Sequence, residues 1–181
     1  MTDLELLAEL IDDLFRDLRP EIESLTHDEF HWQPGLQANS IGITVWHMAR
    51  GLDFLATRVL LGRPAEEELW LSQGWREKTG YDPHGKGYGG WGVLTGFTWE
   101  GLQSIPKLST LASPEYLNQS SALASSLVRN MSADQAHSPV LEFFNGKLTR
   151  FRWVKDFYKG FQAHVGEIIA IKALIERSKT V

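Results

Sequence analysis

The chain has 181 residues, of which 43% are hydrophobic and 23% charged, and its formal net charge is −5. This length suits one domain, predicted to span residues 1–181, and a core can form without disulfide or metal staples. Because the chain has no cysteine, it excludes a disulfide framework, a cysteine nucleophile and a cysteine-built metal site. Metal or acid–base chemistry therefore depends on histidine and carboxylate side chains.

The N-terminus and the charge distribution restrict location and partners. Residues 1–5 carry two acidic groups and no basic one, no signal-peptide core follows them, and no apolar run reaches the roughly 18 residues that span a bilayer. We therefore expect a cytoplasmic protein without membrane association. Residues 1–30 are strongly acidic and residues 147–181 are basic. We interpret them as neighbouring helices of opposite charge, within a subunit or across a dimer, and expect no nucleic-acid partner.

The first helical segments are marked by periodicity and capping residues. Apolar residues at spacings of three and four from Leu7 to Leu25 predict an amphipathic helix that starts at Thr2 or Asp3. Pro20 should kink or end it. The spacing of Thr26 and Glu29 predicts a capping box at the start of a second, short unit.

A second long helix is predicted from Asn39-Ser40 to about residues 62–64, where glycine and proline supply a stop. It carries apolar stripes on two opposite sides, and His47 lies on one of them. A helix with two apolar sides is central in a bundle or packs in a dimer, so we expect His47 to be buried.

Residues 70–106 combine nine glycines with seven aromatic residues. Such glycine density disfavours regular helix, yet so many aromatic rings would be costly to leave in water. We expect a long ordered loop packed over the domain, either as a lid or pocket wall or as plain structural cover.

The C-terminal third contains two further helices and a turn. Ser113-Pro114-Glu115 predicts a helix start with Ser113 as N-cap. Asn145-Gly146 predicts a tight, hairpin-like turn between strands too short for a sheet. The last helix should run from about Thr149 to Ser178. One of its flanks carries Trp153, Gly160 and His164, with Asp156 and Glu167 at the edge.

These elements predict an all-α four-helix bundle with a long Gly/Trp-rich insertion and a short hairpin-like turn before the last helix. Metal sites in bundles use inward-facing side chains from different helices, and His47 and His164 fit that description. A lone buried histidine is more often a hydrogen-bonded core residue, so both interpretations stay open. The other histidines lie in loops or at helix ends, and only His84 among them could fold over a site.

Two stretches resemble a known family. The first comprises Trp32-Gln33-Pro34, Asn39-Ser40-Ile41-Gly42, Trp46-His47-Met48-Ala49-Arg50 and Asp53; the second is Gly160-Phe161-Gln162-Ala163-His164-Val165-Gly166-Glu167-Ile168. They are similar to signatures of the DinB-like (DNA-damage-inducible) metalloprotein superfamily, whose last helix normally reads His-x-x-x-His-x-Gly-Gln/Glu-Ile. The resemblance implies a four-helix bundle, often a homodimer, with a divalent metal on three histidines. Relatives include thiol-dependent S-transferases and the mycothiol-dependent maleylpyruvate isomerase.

The resemblance places the metal ligands at His47, position 160 and His164, but position 160 is a glycine here. An i, i+4 histidine pair presents two imidazole ligands from one helix face, so the glycine leaves the last helix with only one of them. Glu167 is the best substitute for the third ligand, and Asp156, Asp53, His84 or water are alternatives. Gly160, Trp153 and Asp156 are expected to line the adjoining pocket.

Three kinds of function remain open from the sequence. An enzyme would use a divalent metal (Zn, Ni or Fe) for thiol-dependent transferase or hydrolase-type chemistry, with the sulfur supplied by a low-molecular-weight thiol because the chain has none. A binding module would hold a small apolar or aromatic molecule in a metal-free, Trp-rich pocket. A structural protein would use its aromatic residues to hold a homodimer together.

Overall fold

The computed structural model describes residues 1–179. The α-helices of this range are, in chain order, α1 (Asp3–Glu23), α2 (His27–His31), α3 (Ile41–Phe54), α4 (Leu69–Ser72), α5 (Trp75–Thr79), α6 (Trp99–Gln103), α7 (Ala112–Arg129), α8 (Ala133–His137) and α9 (Arg150–Ser178). The all-α prediction is confirmed, since residues 1–179 contain no strand beyond an isolated bridge between Pro139 and Thr149. None of the helices described here is both long and apolar enough to cross a membrane.

Capping boxes begin α1 and α2, which confirms the predicted N-cap at Thr2 and the predicted box at Thr26 and Glu29. The Thr2 hydroxyl accepts from the Glu5 backbone N–H at 3.2 Å, while Glu5 accepts from the Thr2 backbone N–H at 2.7 Å. The same reciprocal pair joins Thr26 and Glu29. Each box satisfies two N–H groups that a helix start otherwise leaves without partners. Pro20 lies inside α1, which continues to Glu23.

The third helix is the centre of the molecule. Ser40 caps α3, and 12 of its 14 residues are buried. Helices α7 and α9 both pack against α3, while α1 packs mainly on α7. This arrangement confirms that the two apolar stripes of α3 face two different neighbours. The helix continues into a π-helical segment, Leu55–Leu60, before the chain turns at Gly62.

The Gly/Trp-rich insertion is more structured than the long loop that the sequence predicts. It contains most of α4, all of α5 and α6, and a 3₁₀ turn at Tyr88–Gly90, and a further 3₁₀ turn, Ala65–Glu67, precedes it. Gly74 and Gly80 bracket α5 with φ of 72° and 68°, a left-handed conformation that glycine adopts without steric cost. Glycines thus divide the segment into short turns instead of abolishing helix. Trp70 and Trp75 are buried, so the insertion is ordered cover for the core.

In the C-terminal third, the predicted turn is confirmed and the predicted start of the third long helix is wrong. Helix α7 begins at Ala112, and Ser113 is buried inside its first turn, so the predicted Ser113 cap is wrong. The Ser109 hydroxyl instead accepts from the Ala112 backbone N–H at 3.0 Å. The tight turn at Asn145-Gly146 is confirmed as a 3₁₀ turn, Phe144–Gly146. Thr149 caps α9, whose bounds agree with the predicted last helix.

Candidate metal site

The structure brings His47 and His164 together between α3 and α9. Their ring centroids are 4.8 Å apart, and the ring planes are nearly perpendicular at 88°. Each histidine lies in the middle of its helix, and the two helices pack against each other. Both side chains are partly buried, so His47 is less enclosed than the sequence predicts.

A hydrogen-bond acceptor holds Nδ1 of each ring. Nδ1 of His47 donates to the backbone carbonyl of Val93, in the insertion. Nδ1 of His164 lies 2.9 Å from Oε2 of Glu167, one turn further along α9. A carbonyl and a carboxylate can only accept, so the proton of each neutral ring is on Nδ1. In the neutral form of each ring, Nε2 therefore carries the lone pair, and outer acceptors orient histidine ligands in metal sites in the same way.

The protonation state of His47 suits this role. Burial lowers the pKa of His47 to about 4, and the proximity of His164 acts in the same direction. His47 is therefore neutral at pH 7, as a metal ligand must be. The hydrogen bond with His164 lowers the pKa of Glu167, which keeps that carboxylate ionised as an acceptor.

The spacing of the rings is compatible with one shared cation. Zn²⁺ lies about 2.0–2.1 Å from an imidazole nitrogen, which puts it roughly 3.2 Å from the ring centroid. If the two nitrogen–zinc bonds form an angle of about 90–110° at the ion, the ring centroids are roughly 4.5–5.2 Å apart. The observed separation of 4.8 Å falls in that range.

Position 160 is open. Gly160 lies one helical turn before His164 on α9 and is exposed. A Cβ placed on Gly160 would have no atom within 4 Å from any residue described in the structure. Neither an aromatic side chain nor a neighbouring helix therefore contacts the Cβ position from which a histidine at 160 would extend.

The predicted third metal ligand, Glu167, does not fit that role. Oε2 of Glu167 is engaged by Nδ1 of His164, so this carboxylate supports a neighbouring ring. Within residues 1–179, no group of three or more His, Cys, Asp or Glu side chains is arranged to hold a metal ion. Residues 1–179 thus offer two imidazoles at this position, and a metal ion bound there would need a third donor from elsewhere.

The other predicted ligands lie elsewhere. Asp53 is fully buried and accepts from the backbone N–H groups of Leu69 and Trp70 at 2.7 and 2.9 Å. Asp156 pairs with Arg152 at the surface, with 2.7 Å between Oδ2 and Nε. His84 binds Glu68 and Asp82 instead of approaching the histidine pair.

Trp153, predicted to line the pocket with Gly160, is buried in an aromatic cluster. Its ring stacks on Phe144 at a centroid distance of 5.6 Å and meets Trp91 edge-on at 6.1 Å. The cluster fills the region between the insertion, the 3₁₀ turn before α9 and the start of α9. Trp153 therefore connects α9 to the insertion.

Sequence reasoning missed a buried charge network beside the histidines. The Arg50 guanidinium is fully buried and donates to Glu68 Oε2 at 2.6 Å and to Asp53 Oδ2 at 3.0 Å. Its Nε donates to the Gly92 carbonyl at 3.3 Å. The Tyr116 hydroxyl, on α7, donates to Asp53 Oδ2 at 2.8 Å. The network joins α3, α7 and the insertion.

This network also positions the acceptor of His47. Arg50 lies one turn after His47 on α3 and holds the carbonyl of Gly92, the residue before Val93. The insertion is therefore fixed over α3 where it contacts His47, as a pocket wall would be. The signal in the sequence was an Arg50–Asp53 pair at i, i+3 on an otherwise apolar helix, because buried charges are nearly always paired.

The fold and the site define an all-α protein with a paired-histidine centre between its third and last helices. The model of the DinB superfamily matches residues 10–159, which is most of the chain, and the chain therefore belongs to the DinB superfamily. The matched region includes His47 and ends before Gly160 and His164.

One solved structure supports the fold independently. A conserved protein from Enterococcus faecalis superposes with a TM-score of 0.77 over 96% of this chain and 97% of its own, at 22% sequence identity. At that identity the likeness concerns the fold alone. A search of curated proteins finds no match.

Proposed function

We propose that this chain binds a divalent metal ion through Nε2 of His47 and His164, together with a low-molecular-weight thiol, and that it carries out thiol-dependent transferase-type chemistry. The observation that supports this most strongly is the anchoring of both Nδ1 atoms by acceptors. Metal-binding histidines typically have one ring nitrogen held by an acceptor and the other available to the metal. His47 and His164 both show this arrangement, and their rings lie side by side.

The chain's own residues would act as holders and orienters. His47 and His164 supply the nitrogen ligands, while the Val93 carbonyl and Glu167 fix the ring orientations and raise ligand basicity. The space over Gly160 leaves room for the third donor. A bound Zn²⁺, Ni²⁺ or Fe²⁺ would supply Lewis acidity and lower the pKa of a coordinated thiol or water. Hydrolase-type chemistry would use water in the same position.

A metal-free small-ligand or structural site is the second candidate. It is favoured by the missing third donor within the described part of the chain. In that case the edge-to-face contact between His47 and His164 would be a packing contact between α3 and α9. The two candidates differ in one measurable property, the affinity for metal.

The test is Zn²⁺ binding to protein purified without a metal-affinity column and stripped with chelator. Equilibrium dialysis with elemental analysis gives the stoichiometry, with and without 2-mercaptoethanol. We expect one Zn²⁺ per chain, bound at least about tenfold more tightly with the thiol, because the thiolate supplies the missing ligand. His47→Ala and His164→Ala should each abolish stoichiometric binding.

His137→Ala is the matched control, because His137 is exposed and lies in α8, away from the pair. It should bind Zn²⁺ like the parent chain. Substoichiometric Zn²⁺ with and without thiol, or unchanged binding in His47→Ala, would overturn the metal proposal and leave the metal-free candidate. Only a positive binding result justifies a search for transferase substrates.

We also propose that the protein is a homodimer. Ile169 and Leu174 on α9 are 54% and 44% exposed. Ile169 lines a groove between α1 and α9 with Leu10, Leu14 and Val165, and Asp13, Asp17 and Glu21 line it as well. Burial of such surface would favour self-association. Light scattering after size exclusion should give twice the chain mass of 20.5 kDa, and Ile169→Asp should give the monomer.

A further inference from the structure

A further pocket borders the π-helical segment Leu55–Leu60 that follows α3. It has a volume of about 610 Å³ and is lined by Arg58, Tyr88, Trp91, Glu142, Phe143 and Phe144, with two glycines. That volume is in the range of small-molecule sites. Arg58 lies eleven residues after His47, roughly 16 Å along a helix axis, and the lining contains neither histidine. The pocket is therefore a separate site.

Three irregular backbone segments meet at this pocket. Arg58 lies in the π-helical segment Leu55–Leu60, and such segments are frequent at functional sites. Phe144 and Asn145 have φ of 52° and 54°, in the left-handed region that bulky side chains rarely adopt. Gly89 and Gly90 have φ of 60° and 69°. Strained backbone clusters at binding sites because the site geometry, and not packing alone, requires it.

The strained turn presents aromatic faces to the pocket. Phe144 is 43% exposed and Tyr88 is 55% exposed, although both rings belong to an aromatic cluster. Their rings are close to parallel, at 23°, with centroids 6.4 Å apart. Trp91 meets both edge-on, at 5.3 Å from Tyr88 and 5.8 Å from Phe144. Exposed, pre-ordered aromatic faces are suited to a flat aromatic ligand.

Arg58 supplies the polar group of the pocket. Its Nη2 donates to Glu142, and its guanidinium lies over the Phe143 ring at 5.6 Å. Its Nε is buried and has no hydrogen-bond partner among the residues described. Nε and Nη2 form the side of a guanidinium that binds carboxylates with two parallel hydrogen bonds. Glu142 uses only one of these positions, and its side chain is 49% exposed.

Two carboxylates lie within 4 Å of the Arg58 guanidinium, the buried Glu68 and the half-exposed Glu142, and only Glu142 lines the pocket. A ligand carboxylate could displace Glu142, which would return to water at little cost because it is half exposed. A cationic ligand would be repelled by the Arg58 guanidinium, which already lies over the face of the Phe143 ring. We propose that this pocket binds a planar aromatic carboxylate, with the ring on Tyr88 and Phe144 and the carboxylate on Arg58.

The experiment compares three probes that share an aromatic body and differ in charge. Calorimetric titrations of the chelator-stripped full chain use 2-naphthoate, 2-naphthamide and a trimethylammonium-naphthalene salt. We expect saturable binding of the carboxylate, about ten- to hundredfold tighter than the amide, because a charge-assisted pair at Arg58 is added to stacking. Phe144→Ala should weaken the binding of both 2-naphthoate and 2-naphthamide.

Two variants test the role of Arg58 separately. Arg58→Met should remove the preference for the carboxylate and keep the amide affinity. Glu142→Gln, a surface change, should tighten carboxylate binding several-fold because a charged competitor for Arg58 is removed. His164→Ala should leave 2-naphthoate binding unchanged. Equal affinities for acid and amide, tighter binding of the cation, or unchanged carboxylate affinity in Glu142→Gln would each overturn the proposal.

Discussion

Loss of the Arg50 guanidinium should destabilise the fold more than any exposed charge change. Arg50→Met keeps most of the side-chain volume but leaves Asp53 and Glu68 as two buried carboxylates that face each other without Arg50. Removal of one partner from a buried ion pair typically costs about 3–5 kcal/mol. Two carboxylates lose a partner here, although His84 and backbone N–H groups still contact them. We therefore expect a loss of about 3–5 kcal/mol in the free energy of unfolding.

Urea denaturation followed by tryptophan fluorescence measures this change. The matched control is Arg16→Met, because Arg16 pairs with Asp13 at the surface with 67% of its side chain exposed. Exposed pairs contribute about 0–1 kcal/mol, so the control should be nearly neutral. The loss in Arg50→Met should shrink at low pH, since protonation of a buried carboxyl removes its unpaired charge. A loss below about 1 kcal/mol would refute the structural role of the network.

The remaining predictions concern the insertion. Hydrogen bonding to Glu68 raises the pKa of His84, so its contribution to stability is present below the unfolded-state pKa of about 6.5 and is lost as pH rises through the raised folded value. Urea midpoints from pH 5 to pH 9 should therefore show a decline in the parent chain that is weaker in His84→Gln; parallel curves would contradict this. Gly92→Ala should lower the melting temperature more than Gly62→Ala. Both glycines have left-handed φ, at 67° and 65°, but only a Cβ at Gly92 meets Pro83 O, at 2.6 Å. Equal shifts would mean that the loop adjusts without strain.

Local signals predicted where α1, α2, α3 and α9 begin. Thr2, Thr26, Ser40 and Thr149 each cap a helix where the sequence places one, because a capping hydroxyl acts within three residues of itself. The same reasoning failed at Ser113. Its neighbour Pro114 is tolerated in the first turn, but the Ser109 hydroxyl provides the hydrogen bond to the helix start.

Long-range features were less accessible. The pairing of Arg50 with Glu68 depends on how a glycine-rich insertion returns over α3, and local periodicity carries no information on that path. The Arg58 pocket depends on a left-handed Phe144, a conformation that no sequence rule assigns to phenylalanine. The juxtaposition of His47 and His164 was one of two interpretations that the sequence left open, favoured by their inward-facing mid-helix positions and by the family resemblance.

The most direct test of the central claim is a calorimetric titration of Zn²⁺ into Gly160→His without thiol. The exposed position has room for the ring and lies one turn before His164, so the variant should complete a three-histidine set. We predict at least about tenfold tighter binding than in the parent chain. Gly160→Ala is the control, because it adds helix propensity of about 1 kcal/mol but no ligand, and should not change the affinity. An unchanged Zn²⁺ affinity in Gly160→His would show that Nε2 of His47 and His164 do not converge on a common metal position.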